Sequence, residues 1–226
     1  MQAMSSRIAT AASIDTPRRR YNSTRRALQA AQTRTDVLAA AIRLFTTSGW
    51  AATTVAAVAT EAGVSAETVY SGFGSKKNLL RAAIDVAVVG DADPIPFIDR
   101  EEFQRMGRGT IAARLRAGVA LQADVHERSA GVWRAIMEAA VGDAEVEGWR
   151  IELERGRRLD LRRSLALILG RELDTPTIDL LWVLLGPETY LKLVGDAAYG
   201  REQYEQFLLD AIERILPRPW RRRSPH

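Results

Sequence analysis

The chain has 226 residues, 46% of them hydrophobic and 27% charged, which is enough for two modest cores and too polar for a membrane protein. It contains no cysteine and two histidines, so disulfides, thiolate metal sites and cysteine nucleophiles are excluded, and a zinc or triad enzyme is hard to assemble. The net charge of +4 is unevenly spread: residues 1–90 carry 11 Lys and Arg against 5 Asp and Glu, residues 91–216 carry 17 against 23, and attraction for phosphate is therefore concentrated in the first part of the chain.

Residues 1–32 hold Arg7, Arg18, Arg19, Arg20, Arg25 and Arg26 with Asp15 as the only acid, and they show little apolar periodicity. A mobile basic arm is expected, able to lie along phosphates or enter a minor groove; a solvated tail with no target reads the composition equally well. An organellar transit peptide is a third reading, but nothing downstream supports import and no secretory apolar core is present, so the cytoplasm is the expected location.

Val37, Leu38, Ala41, Ile42, Leu44 and Phe45 recur at three-and-four spacing, which predicts a first helix from about residue 35 to 47, stopped by Gly49. Thr53 or Thr54 can cap a second helix with Val55, Val58, Ala59 and Ala62 inward, and Gly63 breaks it in a sharp turn. Ser65 caps a third helix that carries Val69 inward and leaves Ala66, Glu67, Thr68, Tyr70 and Ser71 largely outside, until Gly72 and Gly74 end it. Ser75 then caps a fourth helix with Lys76 and Lys77 at its N-terminus, where a phosphate would be welcome. The segment is expected to be a helix-turn-helix that enters the DNA major groove.

On its third helix, Thr68 and Ser71 can bond base edges or phosphates, and Ala66 can meet a thymine methyl. Glu67 either accepts from a cytosine amino group or merely complements the helix dipole. Ser65 and Arg34 are counted with these DNA-facing residues.

Gly49-Trp50, Thr53-Thr54, Ala62-Gly63-Val64-Ser65, Tyr70-Ser71-Gly72-Phe73 and Ser75-Lys76 together resemble the amino-terminal domain of the TetR/AcrR family of one-component transcriptional regulators. The likeness spans residues 34–80. It implies that Thr54, the Tyr70 hydroxyl and Lys76 contact phosphates and set register rather than sequence. Gly72 departs from the histidine or other bulky residue that many members carry there, so any contact from that side chain is absent and the operator does not follow by analogy.

Two prolines in residues 91–96 mark a linker, and helices are expected near 100–125, 129–141, 144–169, 176–196 and 201–216, giving an all-α chain. Residues 33–90 form the expected reading head including the linking fourth helix, 91–216 an effector-binding and dimerisation domain, and 217–226, with Arg221, Arg222 and Arg223, a basic tail. Phe103, Met106, Leu121, Trp133, Met137, Trp149 and Trp182 are candidate effector contacts, although their spacing equally suits core packing. His126, among Asp124, Glu127 and Arg128, is either a polar anchor for the effector or a surface or hinge residue. No charged patch is expected inside, which suggests a small apolar or aromatic effector. Glu145, Glu147, Glu152 and Glu154 read as solvated helix faces.

Thr175 and Pro176 read as an N-cap and N1 pair, Gly186-Pro187 as a kink, and two apolar faces follow. Trp182, Leu185, Tyr190, Leu191, Tyr204, Phe207, Leu208, Ala211, Ile212 and Ile215 are the candidate dimer contacts; burial within one chain is the alternative. The resemblance extends to this segment and implies that its final helix pair forms a four-helix bundle with a second copy. A homodimer, a two-fold symmetric DNA operator and a small-molecule effector that releases it are then expected, with no cofactor, no metal and no membrane partner. There is no Walker loop, G-x-G-x-x-G or H-E-x-x-H to support an enzyme. An architectural DNA-binding protein without an effector is the remaining rival.

Overall fold

The computed structural model describes residues 17–91, 95 and 97–216, and these are all-α with no strand among them. The basic tail at 217–226 and the first sixteen residues of the expected arm lie outside the described residues.

Helix α1 runs from Pro17 to Ala52, interrupted at Gly49, where φ is 73°. Residues 17–32, expected to be a mobile arm, thus extend the first helix backwards. The stretch Ala27-Leu28-Gln29-Ala30-Ala31-Gln32 has high intrinsic helix propensity, which a search for apolar periodicity does not register. Gln32 Nε2 also donates to Asp36 one turn on at 2.9 Å. Helices α2 (Val55–Glu61), α3 (Ala66–Phe73) and α4 (Lys76–Val89) follow, each opened by the hydroxyl expected to cap it. Thr54 accepts from Ala57 N at 3.0 Å, Ser65 from Thr68 N at 3.1 Å and Ser75 from Asn78 N at 3.2 Å.

After a 3₁₀ turn at Phe97–Asp99 comes the short α5, Glu101–Arg105, and then α6, Ile111–Ala140. The break expected at 126–128 is absent, and the real interruption lies at 106–110, where Thr110 caps α6 by accepting from Ala113 N at 3.2 Å. His126, read as a possible surface or hinge residue, and its neighbour Arg128 turn inward instead. His126 is 2% exposed, and Arg128 reaches the C-terminus of α4, donating to the Ala87 and Val88 carbonyls at 3.2 Å each. Helix α7 spans Ala144–Leu169 and α8 Thr175–Leu184, the latter capped by Asp174, not Thr175, through Thr177 N at 2.8 Å. The kink at Gly186-Pro187 is present; α9, Pro187–Tyr190, leads through a π turn at Leu191–Asp196 to α10, Arg201–Ile215.

Two apolar cores form around α6. The first joins Val37, Leu38, Phe45, Val58, Val69, Leu80 and Ile84 to Val132, Trp133, Ile136 and Ala139 of α6 and Val146 of α7, so the reading head borrows the second half of α6 for its core. The second gathers Phe103, Met106, Leu115, Leu165, Ile178, Leu181, Leu185, Tyr204, Leu208 and Ile212. Arg201 ties α10 to α6, its guanidinium 2.6 Å from Asp124 and 3.1 Å from Glu127.

Candidate nucleic-acid interface and effector cavity

The hydroxyl caps fix where α3 starts, and Val69 pins its inner side, so the opposite side is presented to solvent. Glu67, Thr68, Tyr70 and Ser71 are exposed, with Tyr70 at 53%, whereas Ala66, expected outside, is half-buried against the first core. The Ser65 and Thr68 hydroxyls lie 2.9 Å apart, and each can still bond outward. Arg34 of α1 rests its guanidinium 4.5 Å from the centre of the Phe73 ring, and with Glu67, Thr68 and Ser71 it borders a cleft between α1 and α3. Arg34 and the exposed side of α3 therefore share one surface.

Lys76, expected at a phosphate, is engaged within the chain. Its Nζ donates to the Trp50 carbonyl at 2.5 Å and sits 4.0 Å from the Trp50 ring centre, and burial lowers its ammonium below the ordinary lysine range. Lys77 is also engaged, ion-paired with Asp143 and Glu145 at the start of α7. The open cationic α4 N-terminus read from the sequence is thus occupied by the chain's own groups.

Trp50 is held in turn by α6. Its backbone N–H donates to Glu138 Oε2 at 2.7 Å, and Arg134 Nη2 donates to the Thr46 carbonyl at 2.8 Å. Gly131 permits this approach, since a Cβ there would run into the Thr46 side chain.

A cavity of about 420 Å³ opens beside these contacts. Its walls are Arg81, Ile84, Asp85 and Val88 of α4, Gln122, Val125, His126, Ser129 and Trp133 of α6, and a long strip of α7 from Trp149 to Ser164, closed by Leu185 and Pro187. Of the predicted effector contacts, His126, Trp133 and Trp149 line it. Phe103, Met106 and Leu121 belong to the second core, Met137 is 39% exposed elsewhere on α6, and Trp182 is not on the wall.

His126 is a buried anchor, not a surface residue. Its Nε2 lies 2.7 Å from Gln122 Nε2 and its Nδ1 2.6 Å from the Tyr204 hydroxyl; a neutral ring accepting from the amide and donating to the phenol satisfies both. Burial, aided by the Arg157 charge, pushes its pKa down to about 3. The cavity also corrects the expectation of an uncharged interior, because Arg81, Asp85, Glu152, Arg157 and Asp160 all line it. Glu152 borders this wall with its side chain 67% exposed, in keeping with a solvated helix face, whereas Glu154 is largely buried and bonded to Arg157 at 2.7 Å. These charges come from α4, four residues apart, and from α7 at spacings of five and three, a signal visible in the sequence once both helices are known to face one space.

The candidate dimer residues divide. Leu185, Tyr204, Leu208 and Ile212 are buried inside the chain's own core, while Trp182, Tyr190, Leu191, Phe207, Ala211 and Ile215 are only partly covered. The intramolecular alternative holds for the first group because α10 packs on both α6 and α8 through it. Leu180 and Val183, not among the expected contacts, are 57% and 64% exposed on α8, and the Trp182 indole N–H is buried without a hydrogen-bond partner among the described residues.

These features define an all-α protein with an amino-terminal helix-turn-helix and a helical domain built around a cavity. Residues 37–83 match the sequence profile of bacterial regulatory proteins of the tetR family. In fold, the chain is similar to a protein from Rhodococcus sp. assigned to the TetR-family transcriptional regulators, with a TM-score of 0.63 at 20% identity over 82% of this chain and 99% of that one. It is likewise similar to a transcriptional regulator from Rhodococcus sp. Rha1, with a TM-score of 0.58 at 22% identity over 80% of this chain and 95% of that one. No curated protein matches the chain in sequence. Residues 37–83 are thus a tetR-type DNA-binding domain, and the described chain shares the overall fold of these two regulators.

Proposed function

We propose that the protein is a homodimeric repressor, acting in the cytoplasm, that leaves a two-fold symmetric operator when a small molecule fills the cavity among α4, α6 and α7. The observation that carries this reading is the placement of α4. Its capped start adjoins α3 of the reading head, and Arg81, Ile84, Asp85 and Val88 on the same helix form a wall of the cavity. A ligand that prefers one pose of α4 changes the separation of the two α3 helices in a dimer. Helix α6 gives a second connection, since Ser129 and Trp133 line the cavity and Arg134 and Glu138 hold Thr46 and Trp50 of the head. Taking the population from mostly bound to mostly released needs about 10⁴-fold preference, or roughly 5.5 kcal/mol, which two cavities in a dimer can share.

Arg34, Thr54, Glu67, Thr68, Tyr70 and Ser71 are the proposed DNA contacts, with α3 in the major groove and half-sites about one turn of DNA apart. Purified protein is incubated with genomic fragments at near-physiological salt, and the retained fragments are sequenced. One short inverted repeat, enriched by ~10³ or more over random sequence, is the expected result. Uniform retention with a steep salt dependence sinks the operator reading and favours an architectural role for the Arg25 and Arg26 side of α1.

A further inference from the structure

The charges on the cavity wall discriminate among occupants. Both arginines there are engaged. Arg157 donates from Nε and Nη2 to Glu154 Oε2 at 3.2 and 2.7 Å, and from Nη1 to the Trp182 carbonyl at 2.9 Å. Arg81 lies 3.9 Å from Glu152 and has its guanidinium 5.1 Å from the centre of the Trp149 ring. His126 brings no positive charge near neutral pH, since its pKa is held down to about 3.

Against these stand three carboxylates, Asp85, Glu152 and Asp160, from two facing helices. Asp85 has Arg81, one turn earlier, as its counter-charge, and Arg81 is shared with Glu152. Asp160 is 3.6 Å from Arg163. Asp85 is exposed at the cavity mouth and the Asp160 side chain is 44% exposed; the partial desolvation they have pushes both carboxyls up, and an occupant that covers them desolvates them further unless it brings a cation. The remaining wall is mainly apolar, with Trp133 and Trp149 among its larger faces. An anion entering here meets repulsion from three acids. A neutral apolar molecule leaves the carboxylates further desolvated and still uncompensated.

We infer that the occupant of this cavity is a small amphipathic organic cation, an amine or quaternary ammonium whose apolar body packs against Trp133 and Trp149 and whose charge is met by Asp85 and Asp160. The inference rests on the proposed reading of the cavity as the effector site.

The test uses the full-length protein and three probes that share a phenylalkyl body: phenylbutyltrimethylammonium, its neutral tert-butyl isostere and the anion phenylbutyrate, each titrated by calorimetry. The cation is expected to bind at least about tenfold tighter than the other two. Asp85→Asn and Asp160→Asn are each expected to weaken the cation by about tenfold and leave the neutral isostere unchanged. Gly156 borders the cavity and a Cβ there meets nothing within 4 Å; Gly156→Leu is expected to fit without strain and to weaken the cation and the neutral isostere alike, and an unchanged thermal midpoint separates occlusion from unfolding. Equal or tighter binding of the anion or the neutral probe overturns the inference. So does an unchanged cation affinity in both Asn variants, or no cation binding up to millimolar concentration. A cation that binds through Asp85 and Asp160 yet leaves the operator complex intact counts against the release mechanism alone. Release by phenylbutyrate, with the cation inert, counts against the present inference alone.

Discussion

At His126 the environment fixes both the protonation state and its consequence for stability. The ring is 2% exposed, bonded at both nitrogens, and its pKa falls from 6.5 to about 3 on folding. The unfolded chain therefore binds the proton more readily. Stability from this group is fully present above pH ~6.5 and falls by about 1.4 kcal/mol for each unit of acidification until the folded pKa is reached. His126→Gln should flatten that acid limb in urea titrations between pH 7 and 4; an unchanged slope means the ring is not the group titrating. On the DNA side, Tyr70→Phe should weaken binding to every sequence, while Glu67→Ala and Ser71→Ala should change which half-sites are selected. Lys76→Ala divides two outcomes. If the ammonium leaves Trp50 for a phosphate in the complex, log K should lose about one unit of salt slope per protomer. An unchanged slope means that the lysine stays on the Trp50 carbonyl and ring.

Among the elements, the docking of α1 on α6 is the contact most sensitive to a single methyl group. Gly131 faces the Thr46 side chain so closely that an added Cβ collides with it, and the neighbouring Arg134–Thr46 and Glu138–Trp50 bonds depend on that approach. Gly131→Ala gains helix propensity but should still cost about 1–3 kcal/mol through overpacking, seen as a lower thermal midpoint that Thr46→Ala partly restores. A midpoint at or above that of the unaltered protein would refute the close packing. The reading-head helices were legible in the sequence because their signals are local: Thr54, Ser65 and Ser75 cap the groups three residues on, and Val37, Leu38 and Phe45 show the helical period. The course of α6 was not, because the polar run Asp124-Val125-His126-Glu127-Arg128 is accommodated by Gln122, Tyr204, Arg201 and the end of α4, and most of those partners are remote in sequence. The cavity was legible only in part for the same reason. Trp133 and Trp149 announce themselves as large apolar groups, but nothing local tells Asp85 and Asp160 that they share a space.

For the whole molecule, the exposed apolar surface bears on assembly. Leu180 and Val183 project from α8 at 57% and 64% exposure, and the buried indole N–H of Trp182 between them has no hydrogen-bond partner among the described residues. Phe207, Ala211 and Ile215 are partly uncovered on α10, whose other side is committed to the core through Tyr204, Leu208 and Ile212. An apolar face of two helices suits a second copy, since a C₂ pairing covers the same residues on both chains at once. Charged side chains at the outermost positions should therefore break the pairing without disturbing the fold, because neither Leu180 nor Val183 contributes to a buried cluster. Leu180→Glu with Val183→Glu is expected to give a monomer in sedimentation equilibrium at micromolar concentration, with an unchanged helical circular-dichroism spectrum. Its affinity for a full inverted repeat should fall toward that for a single half-site, since one reading head then loses the effective concentration supplied by the other. A variant that remains dimeric would move the interface off this face, and a monomer that still prefers the full repeat would show that the two heads pair through DNA instead.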